Sequence, residues 1–252
     1  MARVSPVPDQ AAAIATAGGE QLVLLADYHA GLERALRFKE GITLPSRAAD
    51  RRERVLDLVS DAGADRLIVL GDLTHSIGAP GYDEREELAA LVAALDVPIT
   101  VAKGNHDGEL DRVVAEDTAL ADQLTVTGTG GARLGSIGIV HGHTWPARAV
   151  LEADVVCMGH EHPCVRLVDE VGGSRNERVW LRGQLDLDVF PQFDTSAQGP
   201  TIVVFPAFNE LCGGTWINLP DQNFLAPFLP DALTTTATYL LDGTDLGPYD
   251  RI

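Results

Sequence analysis

Short apolar runs alternate along the first half of the chain with longer stretches in which apolar residues recur every three or four positions. The runs at 21–27, 66–72 and 97–105 are mostly apolar, as strands buried on both faces are. The stretches at 46–63 and 83–96 have the spacing of amphipathic helices. A strand, helix, strand, helix, strand order predicts a parallel sheet with its helices packed against it.

Both predicted helices have recognisable ends. Ser46 is placed to cap the first helix, and Gly63 is placed to end it. The second helix opens with acidic residues, which suits the positive end of the helix dipole. We expect the acidic residues of 83–96 to form a solvated face rather than part of a site.

The second half of the chain is predicted to be mostly β. Its strand-like runs are separated by turn residues, and we expect them to form a second sheet packed on the first. Residues 186–200 have the composition of a loop, and no element is predicted for the tail from 219. No segment has the composition of a linker, so we predict a single domain over 1–252. The predicted strands are QLTVTG (123–128), GSIGIVHG (135–142), ADVVCMGH (153–160), PCVRLVDE (163–170), RVWLRGQL (178–185) and TIVVFPAFN (201–209).

Residues able to bind metals or transfer protons follow five of the predicted strands. All seven histidines of the chain are among them. In open α/β sheets, ligands collect beyond the carboxyl ends of the strands, so we expect one crowded pocket there. The residues are Asp27 and His29; Asp72 and His75; Asn105, His106 and Asp107; His141 and His143; and His160 and His162.

These side chains have the chemistry of a divalent metal site. Imidazole nitrogen with carboxylate and amide oxygen suits Mn, Fe, Zn or Co. The set is too large for one ion, and two ions about 3.5–4 Å apart would use it fully. Asp107 is the exception, because we expect it to cap the next helix rather than bind metal.

The ordered motifs resemble those of the calcineurin-like metallophosphoesterase superfamily. They are D-x-H, G-D-x-x-H, G-N-H-D, H-G-H and G-H-x-H, and they extend from residue 27 to residue 162. The stretches ADYHAG, GITLP and AFNELCGGTWIN further resemble the Icc-like group, which includes the DNA-ligase-associated metallophosphoesterases. The resemblance implies a four-layer αββα sandwich of two mixed sheets.

The same resemblance implies a role for each matching residue. His106 matches the family's catalytic histidine. His75 either shares the catalysis or supports the metal ligands, and His143 either supports a ligand or faces the substrate. The implied ligands are Asp27, His29 and His162 for the first metal, Asn105, His141 and His160 for the second, and Asp72 as the bridge between them.

The implied activity is phosphoester hydrolysis with two divalent ions, of which Mn is the expected one. A metal-bridging hydroxide would attack phosphorus in line, and His106 would assist. We predict a phosphodiester substrate in nucleic acid or a nucleotide. His75 stands where the protein phosphatases of the superfamily have an acid, and no Arg-Gly follows it. In both respects the sequence resembles the nuclease branch. The alternatives are a small-molecule phosphomonoesterase and a non-catalytic scaffold of the same fold.

Composition narrows the class of protein further. With 252 residues and 45% hydrophobic content, the chain can bury a large core. It contains no apolar stretch of about 18 residues and no signal-peptide core, so we expect no membrane contact and a cytoplasmic location. Its three cysteines do not form paired clusters, and we expect Cys157 and Cys164 to be core residues.

The charge is unusual, because the net charge is −18 and only Lys39 and Lys103 are lysines. Asp outnumbers Glu, and such a surface stays hydrated where salt screens charge strongly. We interpret this composition as salt adaptation; the alternative is an acidic protein with no such adaptation.

The salt interpretation predicts that the folded protein gains stability as KCl rises into the molar range. The Debye length falls from about 10 Å at 0.1 M to about 3 Å at 1 M, so repulsion among the surface carboxylates weakens. Removal of metal should sharpen the requirement, since bound cations offset local repulsion. Thermal unfolding of metal-free and metal-loaded protein across a KCl series measures this. A melting temperature that stays flat or falls would show the acidity to be incidental.

Overall fold

The first sheet carries the parallel strands that the apolar runs predict. The computed structural model describes residues 3–191, 193, 198–220 and 223–252. In this part of the chain, six strands form the sheet in sequence order, and its last four are parallel. The strands are β1 (Val4–Pro6), β2 (Ala12–Ala17), β3 (Glu20–Leu25), β4 (Arg66–Val69), β5 (Ile99–Val101) and β6 (Leu124–Val126).

The parallel strands are apolar throughout because both of their faces are buried. In β3, Leu22 and Leu24 pack toward the second sheet, while Val23 and Leu25 pack toward the helices. All four side chains are at most 1% exposed. This burial fixes the register of the sheet and therefore the place where each strand ends.

The second sheet contains both parallel and antiparallel neighbours. Nine strands form it in the described residues, and β9 is parallel to both β8 and β12. The tail contributes β14, which pairs with β11, and β15, which pairs with β14. The strands are β7 (Ala132–Leu134), β8 (Ile137–Val140), β9 (Val155–Met158), β10 (Pro163–Val168), β11 (Ser174–Asp186), β12 (Gln198–Val204), β13 (Thr215–Trp216), β14 (Leu233–Leu240) and β15 (Asp245–Gly247).

The helices are α1 (Leu32–Lys39), α2 (Ala48–Ala62), α3 (Tyr82–Ala94), α4 (Leu110–Glu116), α5 (Thr118–Ala121) and α6 (Arg148–Leu151), with 3₁₀ turns at Leu187–Val189 and Tyr249–Arg251. Helices α2 to α5 cover the outer face of the first sheet. The outer face of the second sheet is covered by α6 and irregular segments that include Phe190 and Phe228. The two mixed sheets of the expected αββα sandwich are confirmed, and its fourth layer is thin.

Several local predictions need correction. The strand QLTVTG (β6) lies in the first sheet and not the second, because α4 and α5 precede it and make one more parallel crossover. The unassigned N-terminus supplies β1 and β2, which add antiparallel strands to the same sheet. The first long helix has Arg47 at its N-cap, with Ser46 one residue earlier. Gly63 ends that helix in a left-handed conformation, as predicted.

The predicted loop at 186–200 and the tail from 219 are only partly described. Within the loop, Asp186 ends β11 and the strand β12 begins at Gln198. Residues 192, 194–197 and 221–222 lie outside the described part of the chain. Across the described ranges, we find no helix with both the length and the apolar character of a membrane span.

Candidate metal centre

The predicted site residues converge where five strands end. The turns after β3, β4 and β5 in the first sheet face those after β8 and β9 in the second. They bound a cavity of about 400 Å³. Each sheet therefore supplies part of the site, as the strand-end pattern predicts. The cavity is lined by His29, Asp72, Asn105, His106, His160 and His162, together with Glu161, Gly213, Gly214, Thr215, Asn223 and Leu225.

Most of the predicted metal ligands have a strained backbone. Among the non-glycine residues that the structure describes, six have φ in the left-handed region, and five of these are predicted ligands. Such φ values are uncommon for residues with a side chain and persist only where the surroundings impose them. The backbone strain is an observation separate from the side-chain chemistry, and it identifies five of the residues that were predicted as ligands from their side chains. Their φ values are 56° for Asp27, 48° for His29, 50° for Asp72, 70° for His160 and 44° for His162.

Asp72 lies between the two predicted groups of ligands. Its Oδ2 is 3.6 Å from His29 Nε2, which belongs to the first group, and 3.4 Å from His141 Nε2, which belongs to the second. Its Oδ1 accepts a 2.8 Å hydrogen bond from the backbone N–H of His106. One carboxylate oxygen therefore faces both groups while the other is fixed by the backbone.

Asp27 joins the two sheets at the site. Its Oδ1 lies 3.2 Å from His162 Nε2 and 3.8 Å from His141 Nδ1. The backbone N–H of His160 donates to the same carboxylate at 3.2 Å. Asp27 is fully buried, so an uncompensated carboxylate there would be costly.

Backbone carbonyls fix the tautomers of two histidines. His141 Nδ1 is 2.8 Å from the carbonyl oxygen of Leu70, and His162 Nδ1 is 2.9 Å from that of Gly213. A carbonyl only accepts, so the proton sits on Nδ1 in both rings, and in the neutral ring Nε2 keeps its lone pair. His141 Nε2 is 3.1 Å from Asn105 Oδ1. This orientation is typical of metal-binding histidines, whose other ring nitrogen donates to a carbonyl or carboxylate.

His160 and His143 border the same part of the site. The ring centroid of His160 is 4.8 Å from that of His141 and 6.1 Å from that of His143. His143 Nδ1 is buried and has no hydrogen-bond partner among the described residues. The structure thus brings His143 beside the predicted ligands, and both of its predicted roles stay open.

His75 and His106 stack on one another beside His29. Their ring centroids are 5.0 Å apart, and His106 Nδ1 donates to the carbonyl oxygen of His75. The second ring nitrogen of His106 is therefore the one left for the cavity. His75 Nδ1 is 3.3 Å from His29 Nδ1. These contacts favour the supporting role that the sequence left open for His75.

The electrostatics of the site keep the carboxylates ionised and separate the histidines that burial favours neutral from those that the carboxylates favour protonated. Burial lowers the pKa of His29 to about 3 and that of His160 to about 4. Burial alone would raise the pKa of Asp72, but the adjacent His141 holds it below its usual range. The Asp72 and Asp27 carboxylates, in turn, outweigh burial and raise the pKa of His141 to about 9. In the absence of a cation, a proton on His141 compensates the two carboxylates.

Two glycines are required by the close approach of the turns. A side chain on Gly104 would collide with the Asp72 carboxylate, and one on Gly71 would collide with the His141 ring. Gly71 also has φ of 86°, which residues with a side chain rarely adopt. Steric crowding therefore explains why glycine precedes Asp72 in the G-D motif and Asn105 in the G-N motif.

The prediction that Asp107 caps the following helix is wrong. Helix α4 begins at Leu110, and Glu109 is at its N-cap. Asp107 is fully buried and accepts hydrogen bonds from the backbone N–H groups of Thr74 at 3.1 Å and Gly104 at 3.0 Å. It ties the turn after β4 to the turn after β5. A carboxylate three residues before a helix can either cap that helix or bond to a neighbouring turn. Only the tertiary contacts decide which of the two it does.

The expectation of a solvated acidic face on α3 is also wrong for two residues. Glu84 is 4% exposed and accepts from the backbone N–H groups of His75 and Ser76 at 2.9 and 2.6 Å. Glu87 accepts from the backbone N–H of Gly31 at 2.9 Å and pairs with the buried Arg51. These acids hold the loops that carry His29 and His75.

Sequence reasoning also missed Asn209 and Glu161. Asn209 Nδ2 donates to the carbonyl oxygen of Tyr28 at 3.1 Å, which ties the segment after β12 to the turn after β3. Glu161 is fully buried between His160 and His162 and accepts from the backbone N–H of Ala226 at 2.7 Å. Asn209 follows a strand end like the other site residues, and that signal could have found it.

The donor set and the strained turns define a metal-dependent hydrolase site at the junction of two sheets. A model of the calcineurin-like phosphoesterase superfamily domain matches residues 21–180. The chain belongs to this superfamily, which confirms the predicted family. It is a hydrolase acting on phosphoester bonds, and its family is metal-dependent. The narrower Icc-like resemblance stays a prediction.

A solved structure has the same fold. Pseudomonas putida nuclease MPE superposes with a TM-score of 0.55 at 17% identity, covering 95% of this chain and 98% of that one. Yfce, a phosphoesterase from E. coli, gives a TM-score of 0.38 at 18% identity, covering 90% and 96% of the two chains. The first likeness shows the fold. No curated protein matches the chain by sequence.

Proposed function

We propose that the protein is a dinuclear-metal phosphodiesterase acting on nucleic acid or a nucleotide. The position of Asp72 carries this proposal, since its Oδ2 lies within 3.6 Å of a histidine from each ligand group. A single carboxylate oxygen shared between two sets of nitrogen donors is the arrangement that a pair of neighbouring ions needs.

The proposed ligands and their division between two ions are those that the resemblance to the superfamily implies. Asp27, His29 and His162 would hold the first ion, and Asn105, His141 and His160 the second. Neutral imidazoles with lone pairs toward the cavity, and carboxylates held ionised, are the forms that bind a metal. Mn²⁺ is the proposed metal, and Fe, Zn or Co suits the same nitrogen and oxygen donors.

The chain's own residues would position and activate the substrate. Bound metal ions would supply Lewis acidity for a water molecule and for the phosphoryl oxygens. His106, whose Nδ1 donates to the His75 carbonyl, would act in its doubly protonated form and deliver the second proton, on Nε2, to the leaving oxygen. His75 would keep His29 and His106 in place, and His143 would support His141 or face the substrate. Glu84, through the His75 and Ser76 backbone, would keep this loop rigid.

The charge of the cavity lining supports a diester over a monoester. Among the described residues that line the cavity there is no Arg or Lys. A phosphomonoester carries about −1.5 to −2 charge near neutral pH, whereas a diester carries a single charge. In this cavity the positive charge would come from the metal ions alone. Such a site suits the singly charged diester better than the more highly charged monoester.

The proposal predicts that the manganese-loaded protein hydrolyses bis-p-nitrophenyl phosphate and single-stranded DNA faster than p-nitrophenyl phosphate. The physical reason is that no Arg or Lys among the described lining residues would neutralise the second negative charge of the monoester. Parallel assays on these substrates and on double-stranded DNA, at low and high salt, measure it, with EDTA-treated protein as the control. Higher kcat/KM for the monoester would favour the small-molecule phosphomonoesterase. Less than one metal ion per purified chain would favour the scaffold.

A further inference from the structure

Several exposed apolar side chains belong to the two segments that follow the site histidines His29 and His75. Nine large hydrophobic side chains are exposed in the described residues, and five of them belong to two neighbouring segments. Phe38 is 71% exposed and Tyr82 75%. Exposed apolar residues grouped in this way mark a binding surface more often than scattered ones do. The five are Phe38, Ile42, Leu44, Ile77 and Tyr82.

The cluster is continuous with the turns that carry the site histidines. Helix α1 begins at Leu32, three residues after His29, and Ile77 follows His75 by two residues. Arg34 joins the two segments, because its guanidinium pairs with Asp83 at 2.7 Å and lies 5.1 Å from the centre of the Phe38 ring. We call Phe38, Tyr82, Arg37 and Lys39 the α1 surface.

Helix α1 and the residues that follow it carry more cations than carboxylates, although the protein as a whole is strongly acidic. Residues 32–47 contain four cations, Arg34, Arg37, Lys39 and Arg47, against two carboxylates, Glu33 and Glu40, while the whole chain has a net charge of −18. One of the two carboxylates, Glu33, is buried and pairs with Arg51.

Two of these cations are available for a ligand. Arg37 and Lys39 are exposed, and neither has an ion-pair partner among the described residues. This positive charge therefore lies on the helix that directly follows the His29 turn of the metal centre.

We propose that the α1 surface binds an unpaired nucleic-acid strand and leads it to the metal centre. Phe38 and Tyr82 stack on bases, and Arg37 and Lys39 contact the phosphates on either side. An exposed ring can stack only on a base that is not paired, and cations between such rings are the pattern of single-strand binding sites. A protein partner would not require these free cations. This inference rests on the proposed phosphodiesterase function.

Binding of a fluorescent oligothymidylate of about ten nucleotides with phosphorothioate linkages tests this inference on the manganese-loaded protein. Loss of stacking at two rings should weaken binding by about 30-fold or more in the double variant F38A/Y82A. The double variant R37A/K39A should weaken it and also flatten its dependence on salt. The matched controls are V171A, which removes a side chain that is 91% exposed on the second sheet, and R175A.

The two kinds of failure are distinguishable. Tight oligothymidylate binding that depends on Phe38 and Tyr82 supports the α1 surface even if no diester is hydrolysed, which would overturn the proposed function alone. Equal binding by F38A/Y82A and V171A would overturn the α1 surface. Equal losses of binding to single- and double-stranded DNA in F38A/Y82A would also overturn it. A third contrary result would be a concentration-dependent self-association of the protein that F38A abolishes while strand binding stays unchanged.

Discussion

Replacement of Asp72 by asparagine is expected to lower the bound metal from two ions per chain and to reduce phosphodiester hydrolysis by at least about 10³-fold. The carboxylate faces both ligand groups through one oxygen, whereas the amide, with its only oxygen held by the His106 N–H, would present an uncharged NH₂ group to the cations. Lewis-acid stabilisation is worth several kcal/mol, and about 4 kcal/mol corresponds to that factor.

The D72N change keeps the shape of the side chain, so its effect should be chemical. The amide oxygen can still accept the N–H of His106, and the surrounding strands lose no volume. Metal content by elemental analysis and kcat/KM on bis-p-nitrophenyl phosphate measure the result. Circular dichroism checks the fold.

Asp107→Asn is the matched control. Asp107 is equally buried in the same group of turns, but it accepts only from backbone and Thr74 groups. D107N gives up one of these backbone hydrogen bonds but no group that faces the ligands, so it should retain both ions. Two tightly bound ions and near-normal turnover in D72N would remove Asp72 from the bridge.

Replacement of His106 by alanine is expected to leave the metal content intact and to reduce turnover by about 10² to 10⁴-fold. This is the usual contribution of a positioned general acid or base. The ring is not among the proposed ligands, and its Nδ1 is engaged by the His75 carbonyl. The loss should be smaller for a p-nitrophenolate leaving group, which needs little protonation, than for an alcohol leaving group such as a nucleoside.

The leaving-group comparison separates proton transfer from a structural role. H106N, which retains a polar side chain at this position, should lose activity in the same unequal way. Equal losses for both leaving groups would show that His106 only shapes the cavity. Near-normal turnover of H106A with full metal occupancy would exclude it from the mechanism.

The parts of the fold that could be predicted are those in which the spacing of apolar residues along the sequence shows which faces are buried. The mostly apolar runs of β3, β4 and β5 fixed the parallel sheet, because only strands buried on both faces have that pattern. The short apolar and alternating runs of the second half predicted strands but not their partners. QLTVTG was placed in the wrong sheet because strand pairing depends on the crossover that precedes it and leaves no local mark.

The contacts that hold the site were less predictable than the site itself. Glu87 and Asn209 bond to backbone groups of loops far away in sequence, and Glu84 bonds to the loop that precedes its own helix. A buried acid and a solvated acid look alike in a sequence, because the difference lies in what the fold places beside them. Asp107 was misinterpreted for the same reason.

The sequence by itself determined the candidate donors and their order, since residues that follow strands must collect at one edge of a sheet. Only the tertiary structure brought the ends of two separate sheets together, so that His141 and His162 from the second meet Asp27 and Asp72 from the first. It also decided which ring nitrogen faces the cavity and which turns are strained. Those properties arise from contacts between distant segments, and the packing of the two sheets creates them.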